Sequence, residues 1–207
     1  MGAVPEPSLP RPLDRPLDWP VPGRPELAER LVGAYSTGRG YHDLRHLTEV
    51  LARLAELGAD TPEIVLAGWF HDAVYDGAPD DEERSARLAE SELAGAETGE
   101  RPVDVAEVAR LVRLTATHDP APGDHAGEVL CDADLAILAA PPERYREYAA
   151  GVRRDYAAVS DADFRAGRRA VLEELLAREA LFRSAYAREH WEPLARQNLA
   201  REIAGLR

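Results

Sequence analysis

At 207 residues the chain is long enough for one domain with a substantial core and too short for two of ordinary size. Its 38 acidic against 25 basic residues leave a net charge of -13, which excludes non-specific binding to nucleic acid or anionic lipid, because a polyanion would meet repulsion instead of releasing counterions. A single cysteine, Cys131, excludes an internal disulfide and a cysteine-based zinc site.

Residues 1–24, MGAVPEPSLPRPLDRPLDWPVPGR, are too rich in proline for a helix or an interior strand, because proline fixes φ and removes the backbone donor. An extended arm is expected there, either a partly ordered tail or one pinned at its end by Trp19 and Val21 to a body spanning 25–207. From Pro25 the pattern changes. PELAERLVGAYS and LRHLTEVLARLAEL read as amphipathic helices, the second placing Leu44, Leu47, Val50, Leu51 and Leu54 at spacings of three and four. TPEIVLAGWFHDAVY opens with Thr61 as N-cap and Pro62 as first helical residue, and is apolar nearly all round, as a central buried helix would be. Helices follow over about 82–93 and 103–116. The polar run THDPAPGDHAGE then interrupts, and LCDADLAILAA stops at Pro141-Pro142. ERYREYAAGVRRDYAAV puts Tyr145, Tyr148 and Tyr156 on one helical side. Ser160 with Asp163 forms a capping arrangement for FRAGRRAVLEELLAREALF, and EPLARQNLAREIAGL closes the chain.

Hydrophobic residues make up 45% of the chain but aromatic residues only 6%, so the core must be mainly Leu, Val and Ala, which favour helices at this spacing. The expected fold is all-α, a single bundle of roughly eight to ten helices, with no repeat and no second compositional regime. No apolar run approaches membrane-spanning length, and the first residues lack the basic start and apolar centre of a secretory signal, so the expected location is the cytoplasm, with no membrane and no nucleic-acid partner.

Of six histidines, His42, His46 and His71 fall in one short reach, His71 followed by Asp72. Imidazole and carboxylate without thiolate make a nitrogen and oxygen donor set suited to Mn²⁺, Fe²⁺, Co²⁺, Zn²⁺ or Mg²⁺. If His46 shares the inner face of its helix with Leu47 and Val50, and the buried helix delivers His71 and Asp72 at its end, a third segment must add a carboxylate. CDADLAIL offers Asp132 and Asp134. A histidine on an apolar face is by itself more often a hydrogen-bonded core residue than a ligand. Burying several acids without a cation, however, would cost on the order of several kcal/mol.

The order His46, His71-Asp72, Asp134 resembles the H…HD…D signature of the HD superfamily of metal-dependent phosphohydrolases. The longer blocks RGYHDLRHL, WFHDAVYD, DEERSA, DADLAILA, YREYAAGVRRDYA, FRAGRRAVLEELLAR and ARQNLAREI are similar to a small stand-alone bacterial group of HD-type proteins, over residues 25–206. This resemblance implies an all-helical fold and makes His46, His71, Asp72 and Asp134 the metal ligands. His46 is preferred to His42 because it opens HLTEVL, and Asp134 to Asp132 because the last aspartate of the family follows alanine. His42 would then face substrate or support a ligand.

The implied activity is hydrolysis of a small phosphorylated metabolite, such as a nucleotide, by a metal-activated water. Some HD nucleotidases place a glutamate a turn after the His-Asp pair to orient that water. Tyr75 stands there in this chain, leaving Asp76 and Glu82 as candidate bases beside Asp72, with Glu82 favoured because DEERSA begins a helix. His118 is a candidate further ligand or phosphate contact, whereas Asp119 and His125 read as surface residues. Arg39 and Arg45, and less strongly Arg84, are candidate phosphate contacts. Arg153, Arg154, Arg168 and Arg169 read as ion pairs, and His190 as a helix start. Two alternatives remain open: a non-catalytic metal- or nucleotide-binding helical protein, and a di-iron oxygenase that recruits His118 and His125.

Overall fold

The computed structural model describes residues 17–206 other than positions 60 and 100. Among them run ten α-helices: α1 (Pro25–Tyr35), α2 (Leu44–Glu56), α3 (Pro62–Phe70), α4 (Asp81–Glu92), α5 (Val105–Leu114), α6 (His125–Leu135), α7 (Pro142–Asp155), α8 (Asp161–Ala177), α9 (Ala185–His190) and α10 (Glu192–Gly205). The all-α expectation holds. Its one departure is a small antiparallel pair, β1 (Glu97–Thr98) and β2 (Arg101–Pro102), between α4 and α5.

Short polar side chains set the helix starts by accepting otherwise orphaned N–H groups. Asp43 accepts from Arg45 and His46, Asp104 from Glu107, Asp124 from Gly127, Ser160 from Asp163, and Ser184 from Ala187. Thr61 occupies the N-cap position of α3 but makes no side-chain cap, and Pro62 supplies the start instead. Because Asp124 caps it, α6 begins inside the stretch expected to be a polar interruption. Two other expectations are corrected. His190 ends α9 rather than starting a helix, and Tyr156, 42% exposed at the C-cap of α7, does not share the buried side of Tyr145 and Tyr148.

The helices enclose two adjoining cores. The first gathers Leu27, Leu47, Leu54, Leu66, Trp69, Phe70, Leu111 and Leu130 from α1, α2, α3, α5 and α6; the second gathers Leu138, Tyr145, Leu172, Phe182, Trp191 and Leu199 from the later helices and the 3-10 turn Ala136–Ala139. At the centre of the first core, α3 is buried on nearly every side. A Cβ on Gly68 would stand 2.8 Å from Leu54 Cδ1, so glycine here allows α2 and α3 to pack closely. Cys131 and Asp132 on α6 are both buried.

The end of the proline-rich segment packs onto this body. Val21 is buried, the Trp19 ring meets Trp69 edge-on at 5.1 Å, and Trp69 Nε1 donates to the Asp18 carbonyl at 2.9 Å. The rest of the expected arm, residues 1–16, lies outside the described residues. No described helix is long and apolar enough to cross a membrane.

Candidate metal centre

Three elements deliver the titratable cluster. Capped by Asp43, α2 turns His46 inward beside Leu47 and Val50. His71, the C-cap of α3, and Asp72 directly after it stand at the end of the central helix, and the last turn of α6 brings Asp134. His46, His71 and Asp72 each offer one donor atom, all within 4.8 Å of one another. His46 Nε2 stands 3.0 Å from His71 Nε2 and 3.3 Å from Asp72 Oδ2; His71 Nε2 is 3.2 Å from the same Asp72 oxygen. Asp134 abuts this group, its Oδ1 lying 3.2 Å from His46 Nε2 and 3.6 Å from His71 Nε2.

These spacings suit a cation. With bonds of about 2.1 Å, neighbouring ligands stand roughly 3.0 Å apart in an octahedron and roughly 3.4 Å apart in a tetrahedron. Tautomers point the same way. His71 Nδ1 lies 2.8 Å from the Gly68 carbonyl, which can only accept, so Nδ1 carries a proton and Nε2 is the ring nitrogen turned to the cluster, where a cation would meet its lone pair once that nitrogen is deprotonated. Asp72 Oδ2 is buried without a hydrogen-bond partner, although it sits at ion-pair distance from both histidines. Such an oxygen is costly unless a cation or proton meets it. The donor set, the spacing and the unpartnered oxygen all fit a divalent ion.

Without a cation, protons hold the group together. Burial lowers the proton affinity of His46, but the adjacent Asp134 and Asp72 carboxylates outweigh it and hold its pKa up at about 10. His71 is also raised, burial being outweighed by the charges of Asp72 and Asp134. Burial acts to raise Asp72, yet the His71 and His42 charges bring it well below the usual carboxylate range; Asp134 is likewise lowered against burial by His71, His118 and His46.

The alternative aspartate has another task. Asp132 accepts the backbone N–H groups of Arg183 and Ser184 at 2.7 and 2.8 Å and thereby ties α6 to the start of α9. His118 reaches the cluster from the end of α5, its Nε2 2.8 Å from Asp134 Oδ2. Its φ of 49° is left-handed, a conformation uncommon outside glycine that is often retained at functional sites. Arg178 donates to the carbonyls of Thr117 and His118 and secures that turn. His125 is exposed at the head of α6, and Asp119 pairs with Arg183. Bringing His118 and His125 into one di-iron cavity is therefore inconsistent with this structure.

The other candidates separate clearly. His42 lies beside the cluster, its ring 5.7 Å from that of His46 and stacked on Tyr75 at 4.0 Å. Arg39 donates to the carbonyls of His42, Asp72 and Ala73, capping the end of the central helix. Arg45 turns to Glu49 and Glu147 instead of the cluster, which removes the basis for a phosphate contact there. Asp76, 66% exposed at its side chain, pairs with Arg84. Glu82 is half-buried in the first turn of α4, and no side-chain bond joins it to the cluster. Its neighbour Asp81 organises the intervening loop by accepting from Asp76, Gly77 and Ala78. Arg153, Arg168 and Arg169 form the expected ion pairs; Arg154 does not, and instead donates to the Gly40 carbonyl.

Two supporting residues escaped the sequence reading. Tyr35 Oη accepts the Asp72 N–H at 3.1 Å and donates to the Trp69 carbonyl at 3.2 Å, fixing the backbone between the central helix and its ligands. Asp155, at the end of α7, accepts from Gly40 N, from Tyr41 N at 2.9 Å and from His42 Nδ1 at 3.1 Å. A Cβ on Gly40 would collide with this carboxylate and with the Gly151 carbonyl, so the close approach requires glycine. A cleft of about 380 Å³ opens next to these residues rather than on the cluster itself, lined by Gly38, Arg39, Gly40, Tyr75, Asp76, Gly77, Arg154 and Asp155.

The described residues thus form an all-α protein with a buried histidine and aspartate group able to hold a metal ion. No protein-family model, curated protein or solved structure matches the chain.

Proposed function

We propose that the protein is a metal-dependent phosphohydrolase of the HD type, acting on a small phosphorylated metabolite. The observation that carries this reading is the convergence of His46, His71 and Asp72, whose donor atoms all lie within 4.8 Å of one another, with an unpartnered carboxylate oxygen among them and Asp134 Oδ1 3.2 Å from His46 Nε2. A divalent ion held by His46, His71 and Asp72, with Asp134 as a fourth ligand in the proposed reading, would supply Lewis acidity toward water and a phosphoryl oxygen. The protein's own residues fix that chemistry in place: His118 orients Asp134, Tyr35 fixes the Asp72 backbone, and Arg39 ties the carbonyls of Asp72 and Ala73 to the loop carrying His42.

No acid stands as an evident base, because Asp76 is committed to Arg84 and Glu82 makes no bond to the cluster. Tyr75, at the position of the expected glutamate, favours a second reading in which the same centre serves a non-catalytic metal-binding protein. A metal assay and a screen of phosphate release from nucleotides, sugar phosphates and simple monoesters, with Mn²⁺, Co²⁺ or Mg²⁺, separate the two. Hydrolysis lost at least about a hundredfold in both His71→Ala and Asp72→Ala supports the phosphohydrolase. Stoichiometric metal with no turnover across the panel would establish the second reading.

A further inference from the structure

The cleft beside the metal centre has one unusual property: two guanidinium groups reach it without a carboxylate partner. Arg39 gives three donor contacts to backbone carbonyls and keeps its Nε–H and one Nη2–H uncommitted. Arg154 is exposed, and among the described residues its guanidinium bonds only the Gly40 carbonyl, from Nη2 at 3.2 Å. Neither forms an ion pair among the described residues, in a chain of net charge -13. The two acids lining the same cleft are already engaged, Asp76 by Arg84 at 2.8 Å and Asp155 by two backbone N–H groups and His42. Its volume of about 380 Å³ falls in the range of small-molecule sites, and its walls are mostly polar groups and backbone.

The cleft also borders the cluster, joined to it by the contacts of two lining residues. Tyr75 lines it and stacks on His42, while Arg39 lines it and binds the carbonyl of Asp72 at 2.6 Å. A molecule with one end at the metal ligands and the other past the His42–Tyr75 pair would therefore meet both arginines. Guanidinium groups match phosphate oxygens in charge and in fork geometry.

We infer that this cleft is a subsite for a second, non-reacting phosphoryl group, so that the substrates are small molecules carrying two phosphates. The inference rests on the phosphohydrolase reading for the word substrate but not for the binding itself. Inorganic phosphate, titrated by calorimetry into the full chain with a chelator present, is expected to bind with saturation, and Arg154→Gln to weaken it at least about tenfold. No saturable binding, or binding indifferent to Arg154→Gln, would overturn the subsite. On compounds the metal-loaded protein hydrolyses, Arg154→Gln is expected to lower kcat/KM for bisphosphates relative to the matching monophosphates at least about tenfold. An unchanged ratio, with phosphate still bound in the cleft, would show a site for free phosphate and overturn the assignment to substrate. Absence of any turnover in the wild-type protein would count against the phosphohydrolase reading alone, since the chelated titration decides the cleft without it.

Discussion

Tyr35 shows how much of the centre depends on residues that touch no cation. Its hydroxyl joins the backbone of Trp69 to that of Asp72 inside the protein, where removing a partner exposes the full desolvation cost of what remains. Tyr35→Phe is expected to destabilise the fold by about 1–3 kcal/mol and to weaken metal binding about tenfold or more. Chemical denaturation and competition with a fluorescent chelator measure the two effects; a metal affinity unchanged by the substitution would remove Tyr35 from the support of Asp72. Helical spacing that demands burial marked His46, His71 and Asp72 as a candidate cluster and left Asp132 and Asp134 both open; only the family resemblance singled out Asp134, which the structure sets 3.2 Å from His46 Nε2. Asp155 was not legible, since its contacts to Tyr41 and His42 span more than a hundred positions and no local pattern marks an acid at a helix end as a partner for a distant loop.

Periodicity made most helices readable, and their ends depended on single side chains. The start of α6 was obscured because Asp124, its cap, sits in a run of proline, glycine and aspartate that otherwise reads as loop. The clearest consequence of element packing concerns the segment before α1. With Val21 in the first core and Trp19 against Trp69, this stretch closes one side of the central helix. Val21→Ala deletes two buried carbon groups and is expected to cost about 2 kcal/mol, read as a lower melting temperature with circular dichroism. An unchanged melting temperature would show that the segment is a passive tail.

For the molecule as a whole, the cluster couples stability to pH and, on the proposed reading, to metal as well. In the metal-free protein His46 is held near 10, above its unfolded value of about 6.5, so its contribution is complete below about pH 6.5 and is lost as pH rises through 10. Asp72 and Asp134 act in the opposite sense, contributing above about pH 3.9 and losing that contribution as pH falls through their lowered folded values. A cation must displace the histidine protons, so it binds more tightly as pH rises. At one free Mn²⁺ concentration, the melting temperature should therefore rise further above that of the chelated protein at about pH 8 than at about pH 6. Equal rises by calorimetry would remove the imidazoles from the ligand set.

The lone thiol at Cys131 gives the protein an internal clock. It is buried one turn before Asp134 on the helix that closes the cluster, and burial pushes its pKa up, so an alkylating reagent reaches it only when that helix opens. Its labelling rate, followed by mass spectrometry with and without a divalent ion, converts occupancy of the centre into a lifetime of the closed state. Slower alkylation with the ion present is the expected result; equal rates would mean that α6 opens without releasing what the centre holds.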